Sequence, residues 1–139
     1  NVKKLKADLI LDCTDNMQTR FLLNDYCSKN KIKCIFSSAV QEKGYVFSGC
    51  YSCIFSGLKS IDNCETLGVL NSITSLISSL QVSEAMKILI GKKVDNDLIY
   101  INLNKNEFSK IEVKKKKDCK TCSKKYVYLA GREDNFCGN

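Results

Sequence analysis

The sequence predicts an α/β fold in which helices pack on a mixed β-sheet. Three patterns support this prediction: a strand–helix–strand succession near the start, a long helical stretch in the middle and a hairpin after it. The chain has 139 residues, which suffices for one domain. Hydrophobic residues make up 44% and charged residues 27%, a balance typical of globular proteins.

The first pattern is a βαβ unit. Residues 7–12 form a short apolar run that predicts a buried strand. Residues 13–16 then offer helix N-cap side chains, and apolar residues recur at helical spacing from Met17 to Lys29. Residues 32–37 predict a second strand. Such a unit, about 30 residues long, predicts two parallel strands joined by a right-handed crossover.

The later elements follow from turn residues and periodicity. Gly91 is the expected end of the long helix. One face of that helix is predicted to be apolar, formed by Leu70, Ile73, Ile77, Leu80, Met86 and Leu89. The predicted elements are a turn at 41–44, a short strand at 45–48, a helix at 66–90 and a hairpin of strands at 98–103 and 107–113.

Composition excludes several classes of protein. The sequence contains no histidine, so no mechanism with a histidine base can operate within this chain. No apolar run is long enough to predict a membrane span. The net charge is +7, concentrated around the run Lys114–Lys117. A solvated lysine-rich loop explains this run more simply than nucleic-acid binding, which charge alone suggests, because no aromatic residues interleave it.

Nine cysteines are many for this length. Their odd number argues against a closed disulfide framework and favours a reducing, cytoplasmic compartment with metal-bound and free thiols. Two Cys-x-x-Cys pairs can together complete a tetrahedral zinc site, whose ligands would be Cys50, Cys53, Cys119 and Cys122. Their wide separation leaves open that the pairs are unrelated, redox-active or accidental.

Acidic and amide side chains follow the first strand, from Asp12 to Asn16. Carboxylates at the carboxyl end of a parallel strand face the crevice where α/β proteins bind ligands, and they can hold Mg²⁺ on a nucleotide. Simple N-capping by Asp15 or Asn16 is the alternative.

Cys64 precedes the long helix, where the pKa of a thiol is lowered and the thiol becomes more nucleophilic. An idle or buried cysteine is the alternative. Three further cysteines, Cys13, Cys27 and Cys34, are predicted to be small buried apolar residues.

Four motifs in succession resemble one family. LDCTDNMQTRFLLNDYC (residues 11–27), SSAVQEKGYVFSGCYSC (37–53), NCETLGVLNSITSLISSLQVSEAMKILIG (63–91) and the final CKTC (119–122) are similar to the MoeB/ThiF/HesA group of ubiquitin-activating-enzyme-like adenylyltransferases. The resemblance covers residues 5–122. It implies a Rossmann-like mixed sheet, the C-terminal half of the ThiF/MoeB fold, with a four-cysteine zinc site in residues 1–122. Residues 123–139 are expected to form a tail of uncertain order.

The resemblance also implies a function. These enzymes use ATP and Mg²⁺ to adenylate the C-terminal glycine of a ubiquitin-like or sulfur-carrier protein of the β-grasp fold. By position, Asp15 resembles the Mg²⁺-binding acid, and Cys64 resembles the cysteine that forms a covalent link to the carrier or helps to pass sulfur. The other matched positions of the nucleotide site are Asp12, Asn16, Arg20 and Asn24, and those of the zinc site are the four paired cysteines.

The family's Gly-rich nucleotide loop has no counterpart between Asn1 and Asn139. The chain begins without Met, so we interpret it as a piece of a longer protein that is inactive on its own. Family resemblance further implies a homodimer of the intact protein. A catalytically silent, zinc-stabilised module that binds a ubiquitin-like protein or an active partner half is the alternative function.

Overall fold

The computed structural model describes residues 2–57 and 67–131. Within them, five strands form one sheet with helices on both faces. The elements in chain order are a 3₁₀ turn at Val2–Lys4, β1 (Leu9–Asp12), α1 (Met17–Asn30), β2 (Lys33–Val40), β3 (Lys43–Phe47), α2 (Tyr51–Phe55), α3 (Asn71–Leu89), β4 (Leu98–Asn102) and β5 (Glu107–Ile111). The predicted α/β fold class is confirmed.

Strand order follows chain order. β1 and β2 are parallel, in register from Leu9↔Lys33 to Asp12↔Phe36, so α1 is the crossover of the predicted βαβ unit. All later neighbours are antiparallel. The predicted turn at 41–44 is too long, because Lys43 already pairs with Val40 and leaves only two residues in the turn.

Two apolar clusters lie on opposite faces of the sheet, because successive strand side chains point to opposite sides. On one face α1 and α2 pack on the sheet, around Phe36 and Phe47. On the other face α3 packs against Ile35 and Val46. The short helix α2 was not predicted from the sequence; it places the aromatic rings of Tyr51 and Phe55, 4.4 Å apart, in the first cluster.

The long helix begins later than predicted, at Asn71 instead of residue 66. Gly68 has a φ of 69°, a left-handed conformation that glycine accepts and that prevents a continuous helix. Backbone hydrogen bonds tie the adjoining segment to the β2–β3 turn: Gln41 N–H donates to Gly68 O, and Leu70 N–H donates to Gln41 O. At the other end Gly91 has a φ of 75°, which confirms the predicted helix end.

The buried stripe of α3 also differs from the predicted face. Three members of the predicted face lie outside the core, because Leu70 is 53% exposed, Met86 is 59% exposed and Leu89 is 63% exposed. Burial instead follows a strict spacing of four, whose members are Ile73, Ile77, Gln81 and Ala85. The stripe includes the polar residue Gln81, whose side-chain amide donates hydrogen bonds to strand carbonyls. No helix in the described ranges has the length and hydropathy needed to cross a membrane.

Gly44 permits the close approach of α3 to β3. A Cβ atom there would lie 2.6 Å from Ile77 Cγ1 and 2.8 Å from the backbone oxygen of Ser38. We therefore expect Gly44→Ala to lower the free energy of unfolding by about 1–3 kcal/mol. Urea titration measures this change. Lys43→Ala, at the exposed neighbouring position, is the control, and equal stability of the two variants would contradict the packing described here.

Candidate functional site

A cleft of about 430 Å³ opens at the carboxyl ends of β1 and β2. The N-terminus of α1 borders it on one side and α3 on the other. Parallel strands end here in polar residues, which is where α/β proteins bind ligands. Four of the lining residues follow β1 directly: Cys13, Thr14, Asp15 and Asn16.

Asp12 lies at the base of this region and is 1% exposed. Its Oδ1 accepts hydrogen bonds from the Thr14 backbone N–H at 3.1 Å and from the Thr14 hydroxyl at 2.7 Å. Its Oδ2 lies 3.1 Å from Arg20 Nε in a buried ion pair. Oδ1 is therefore hydrogen-bonded to Thr14, whereas Oδ2 is held by the ion pair with Arg20 and has no hydrogen-bond partner among the described residues. Loss of the Arg20 guanidinium would leave the buried charge of Asp12 uncompensated.

Arg20, in the second turn of α1, holds several segments together. Its guanidinium pairs with Asp12, donates to the backbone oxygen of Thr14 and donates to the Tyr45 hydroxyl at 3.1 Å. Burial raises the pKa of Tyr45, so its hydroxyl stays protonated and accepts from the charged guanidinium. Arg20 thereby fixes the loop after β1 relative to β3.

Asp15 differs from Asp12, because its carboxylate is exposed and lines the cleft. Asn16 is the N-cap of α1: its Oδ1 accepts from the Thr19 backbone N–H at 3.1 Å. The capping alternative from the sequence thus holds for Asn16, which also borders the cleft. Cys13 is exposed, so its predicted burial is wrong; its Sγ lies 3.8 Å from Gln81 Oε1 at the cleft wall.

Gln81 is a residue of this region that the sequence did not reveal. Its Nε2 donates to the backbone oxygens of Asp12 at 2.9 Å and Ile35 at 3.0 Å. It therefore joins α3 to the ends of both parallel strands. The sequence did contain one indication of this role: Gln81 is a polar residue at helical spacing from Ile77 and Ala85, and a buried polar side chain requires hydrogen-bond partners.

Gln81→Leu is expected to lower the free energy of unfolding by about 1–3 kcal/mol, because the Asp12 and Ile35 carbonyls each lose the Gln81 hydrogen bond, and Asp12 O keeps only the one from the Ser37 hydroxyl. Urea unfolding measures the loss. Ser83→Ala, an exposed change on the same helix, is the control and should leave stability within about 0.5 kcal/mol. A Gln81→Leu variant as stable as this control would show that the amide is dispensable.

The four paired cysteines lie together in a second cluster. Their sulfur atoms are all within 4.8 Å of one another, with Cys50 and Cys119 at 3.7 Å and Cys53 and Cys122 at 3.5 Å. Cys50 is the N-cap of α2 and Cys53 lies within this helix, whereas the other pair lies in the C-terminal segment. The fold therefore brings together two pairs that are far apart in sequence. The cluster could bind one metal ion.

Asn24 supports this cluster and does not line the cleft. Its Nδ2 donates to Ser52 Oγ at 3.0 Å and to Thr121 Oγ1 at 3.2 Å, and it lies 3.7 Å from Cys50 Sγ. Its Oδ1 accepts from the Tyr51 backbone N–H at 2.8 Å. Asn24 therefore connects α1 to both cysteine-bearing segments. Its assignment to the nucleotide site stays a sequence-based prediction.

Asp25 anchors the C-terminal segment to α1. It accepts a 2.6 Å hydrogen bond from the Thr121 hydroxyl and a 2.9 Å bond from the Tyr128 backbone N–H. Burial raises the pKa of Asp25. The Tyr128 ring stacks on Phe21 with centroids 4.7 Å apart, so described residues beyond Cys122 still pack on the core.

Thiol ionisation in the metal-free cluster is uneven. Burial raises the pKa of Cys50 to about 11 and also raises the pKa of Cys122. Burial disfavours the thiolate of Cys119 too, but the Cys122 backbone N–H and neighbouring thiols donate to it and lower its pKa. A metal ion must therefore displace protons from this cluster.

Two predicted features remain outside these clusters. Cys64 lies outside the described residues. The lysines from Lys114 to Lys117 are exposed, and Lys116 Nζ donates to Ser56 O at 3.1 Å, beside the cysteine-bearing helix α2.

The family model "ThiF family" matches residues 2–122. The chain belongs to the ThiF family. The match includes the cleft and all four clustered cysteines, so both sites lie within the ThiF-family region.

Two sequence relatives of this ThiF-family chain are both named adenylyltransferase and sulfurtransferase MOCS3. The Aedes aegypti protein is 36% identical over 128 residues, covering 84% of this chain. The Sus scrofa protein is 28% identical over 147 residues, covering 96%. The chain spans only 29% and 32% of their respective lengths.

Solved structures of MccB share the fold. The E. coli structure with ATP has a TM-score of 0.67 at 16% identity, covering 86% of this chain and 40% of that one. The complex of the microcin C7 biosynthetic enzyme MccB with N-formylated MccA has a TM-score of 0.68 at 15% identity, covering 86% and 42%. The Rossmann-like ThiF fold predicted from the motifs is confirmed.

Proposed function

We propose that this chain is part of an enzyme that uses ATP to adenylate the C-terminal glycine of a ubiquitin-like or sulfur-carrier protein. The observation that carries the proposal is a cleft lined by the exposed Asp15, next to a buried Asp12 that is ion-paired with Arg20. Support also comes from relatives named adenylyltransferases and from the shared fold of a protein solved with ATP. We propose the activity for the intact protein and not for residues 1–139 alone.

The two carboxylates have different roles in this proposal. Asp15 is free to hold Mg²⁺, because its oxygens are exposed in the cleft and hard cations prefer carboxylate ligands. Asp12 is a positioning residue, because Thr14 and Arg20 already use its oxygens. When bound, Mg²⁺ neutralises phosphate charge. Asn16 caps the N-terminus of α1, which borders the cleft, and the N–H groups of a helix N-terminus favour anions.

The chemistry explains why ATP is needed. A carboxylate is a poor acyl donor, and linkage to AMP gives the carrier's terminal glycine a good leaving group while pyrophosphate departs. We propose that the activated carrier then passes to a sulfur nucleophile, with Cys64 as the linking cysteine. That role rests on the sequence motif alone.

We further propose that the cysteine cluster binds zinc. A tetrahedral ion with Zn–S bonds of about 2.3 Å separates its sulfurs by about 3.8 Å. The sulfur distances of 3.5 and 3.7 Å fit this geometry. Zinc here is structural, since all four ligands come from the protein and none is left for substrate.

Zinc affinity is expected to fall as the pH falls. The high pKa of Cys50, about 11, means that its proton must leave when zinc binds, so protons compete with the metal. Competition with a chromophoric chelator between about pH 6 and 8 measures this, with tighter binding at higher pH. A constant affinity across that range would contradict thiolate ligation by the cluster.

Pyrophosphate exchange tests the proposed function. The full-length protein is incubated with ATP, Mg²⁺, labelled pyrophosphate and candidate carriers, each intact or lacking its terminal glycine. We expect label in ATP only with an intact carrier. Carrier binding without any exchange would instead favour the silent binding module, and neither binding nor exchange would reject both functions for the carriers used.

A further inference from the structure

The side chain of Asn24, on α1, is held against Cys50 by both of its polar atoms. It is 4% exposed. Its Oδ1 accepts from the Tyr51 backbone N–H at 2.8 Å, and its Nδ2 lies 3.7 Å from Cys50 Sγ, within hydrogen-bond distance of a sulfur acceptor. Because the bond from Tyr51 requires the amide oxygen on that side, it fixes the orientation of the amide and directs the NH₂ group towards the cysteine cluster.

The NH₂ group of Asn24 has more acceptors than protons. It carries two protons, and three acceptors surround it: Ser52 Oγ at 3.0 Å, Thr121 Oγ1 at 3.2 Å and Cys50 Sγ at 3.7 Å. The two oxygens lie closer than the sulfur. Which acceptors receive the two protons therefore depends on how strongly each acceptor attracts a donor.

The neighbouring hydroxyl groups show which oxygen needs Asn24 least. The Thr121 hydroxyl donates its one proton to Asp25 Oδ1 at 2.6 Å. Ser52 must therefore be the donor in the 3.1 Å hydrogen bond between the Ser52 and Thr121 hydroxyls. Thr121 Oγ1 thus keeps a donor without Asn24. The second N–H of Asn24 can therefore serve Cys50 and leave both hydroxyls hydrogen-bonded.

We propose that Asn24 is a positioning residue of the metal site, whose second N–H donates to the Cys50 thiolate once the cluster holds a metal ion. A neutral thiol is a weak acceptor, whereas a thiolate carries charge, and hydrogen bonds to charged acceptors are the shorter and stronger ones. Hydrogen bonds to ligand sulfurs in turn tune a metal centre. The inference rests on the proposed zinc site and not on adenylation, so pyrophosphate exchange does not bear on it.

The expected consequence is a less reactive Cys50. Small electrophiles can reach this sulfur, because Cys50 and Cys122 both line a cleft of about 210 Å³. A thiolate reacts with electrophiles through its lone pairs, and an N–H···S hydrogen bond engages one of them. Asn24 therefore slows the alkylation of Cys50. Cys122 has no hydrogen bond from Asn24 in the described part of the chain and serves as the internal standard.

The test measures two effects in the full-length protein. Cobalt(II) takes the place of zinc, and the energy of its sulfur-to-metal charge-transfer band reports the electron density on the thiolates. The zinc-loaded protein is also treated with iodoacetamide, and the alkylation rate of each cysteine is followed by mass spectrometry. In Asn24→Ala and Asn24→Asp we expect the band to move to lower energy and Cys50 to react about tenfold faster, with Cys122 unchanged. Only one of these variants adds a charge, so agreement between them assigns the effect to the lost N–H.

Ser52→Ala is the matched control, because it removes a neighbour from the same buried network and keeps both N–H groups of Asn24. It should show neither change. Equal changes in Ser52→Ala and in the Asn24 variants would indicate a structural role only and would overturn the proposal. An unshifted band and an unchanged Cys50 rate in Asn24 variants that hold metal would also overturn it. An unmodified protein that bound no cobalt would overturn the metal site and this inference together.

A second measurement uses the unmodified protein and so covers Asn24 variants that fail to fold. The full-length protein is labelled with nitrogen-15 and loaded with cadmium-113. We expect one side-chain proton of Asn24 to show scalar coupling to the metal nucleus through Cys50 Sγ. The absence of this coupling, in a spectrum where other N–H groups do couple to the metal, would overturn the proposal.

Discussion

Cys119→Ser is expected to abolish metal binding and to release the C-terminal segment from α1. Cys119 is 3% exposed, and its sulfur lies 3.7 Å from that of Cys50. A serine at this position removes one of the four ligands, and water cannot take the place of the lost thiolate without distorting the site. Structural zinc sites contribute folding free energy directly. The metal is therefore expected to hold the segment that carries Thr121.

The expected loss of stability is large. Zinc-finger peptides gain about 10–16 kcal/mol from metal. Here the sheet and its two apolar clusters carry part of the fold, so we expect a loss on the order of 5 kcal/mol, about half of the smaller of those values. Part of it arises from Asp25, whose buried carboxylate loses the Thr121 hydroxyl and the Tyr128 N–H when the segment leaves.

Native mass spectrometry and thermal unfolding measure this effect. The unmodified chain should carry one zinc ion, and Cys119→Ser should carry none and unfold at a much lower temperature. Cys13→Ser also removes one thiol but lies outside the cluster, so it should keep both the zinc and the transition temperature. Zinc retained in the Cys119→Ser protein would show that the four cysteines are not one site.

Asp15→Asn in the full-length protein is expected to lower pyrophosphate exchange by about 10²-fold or more. The amide keeps the size of the side chain but loses the charge that the proposal assigns to Mg²⁺ binding. Because Asp15 is exposed, the substitution should leave the fold unaffected. A steady-state comparison over a range of Mg²⁺ concentrations should show that extra Mg²⁺ restores part of the rate.

Asp8→Asn is the matched control, because Asp8 is also exposed but lies at the opposite end of β1. Its exchange rate should equal that of the unmodified protein. An Asp15→Asn enzyme with normal exchange and an unchanged Mg²⁺ requirement would remove this residue from the proposed site.

Local patterns in the sequence were sufficient for the elements around both sites. The N-cap residues before Met17 and the apolar spacing after it predicted α1 almost to the residue, and Gly91 was correctly expected to end α3. The two cysteine pairs were predicted to meet, and they do. The helix bounds could be predicted because they depend on residues that are neighbours in sequence. The meeting of the two cysteine pairs could be predicted because all four residues are ligands for the same kind of metal ion.

Features that depend on tertiary contacts could not be predicted. The start of α3 is set by Gly68 and by hydrogen bonds to Gln41, which is distant in sequence. Gln81 tolerates burial because its amide donates to two carbonyls of the parallel strands. The exposure of Met86 follows from the way α3 lies over the sheet, which hydrophobic periodicity does not encode.

Intact mass measurement of the carrier tests the central claim most directly. The full-length protein with Cys64→Ser, which removes the proposed linking thiol, is incubated with ATP, Mg²⁺ and a carrier that ends in glycine, and the mixture is quenched in acid before any other sulfur nucleophile is added. The account predicts a carrier population heavier by one AMP group on its C-terminal residue, absent with Asp15→Asn and present with Asp8→Asn. ATP consumption with an unmodified carrier terminus, in a carrier shown to bind, would contradict it.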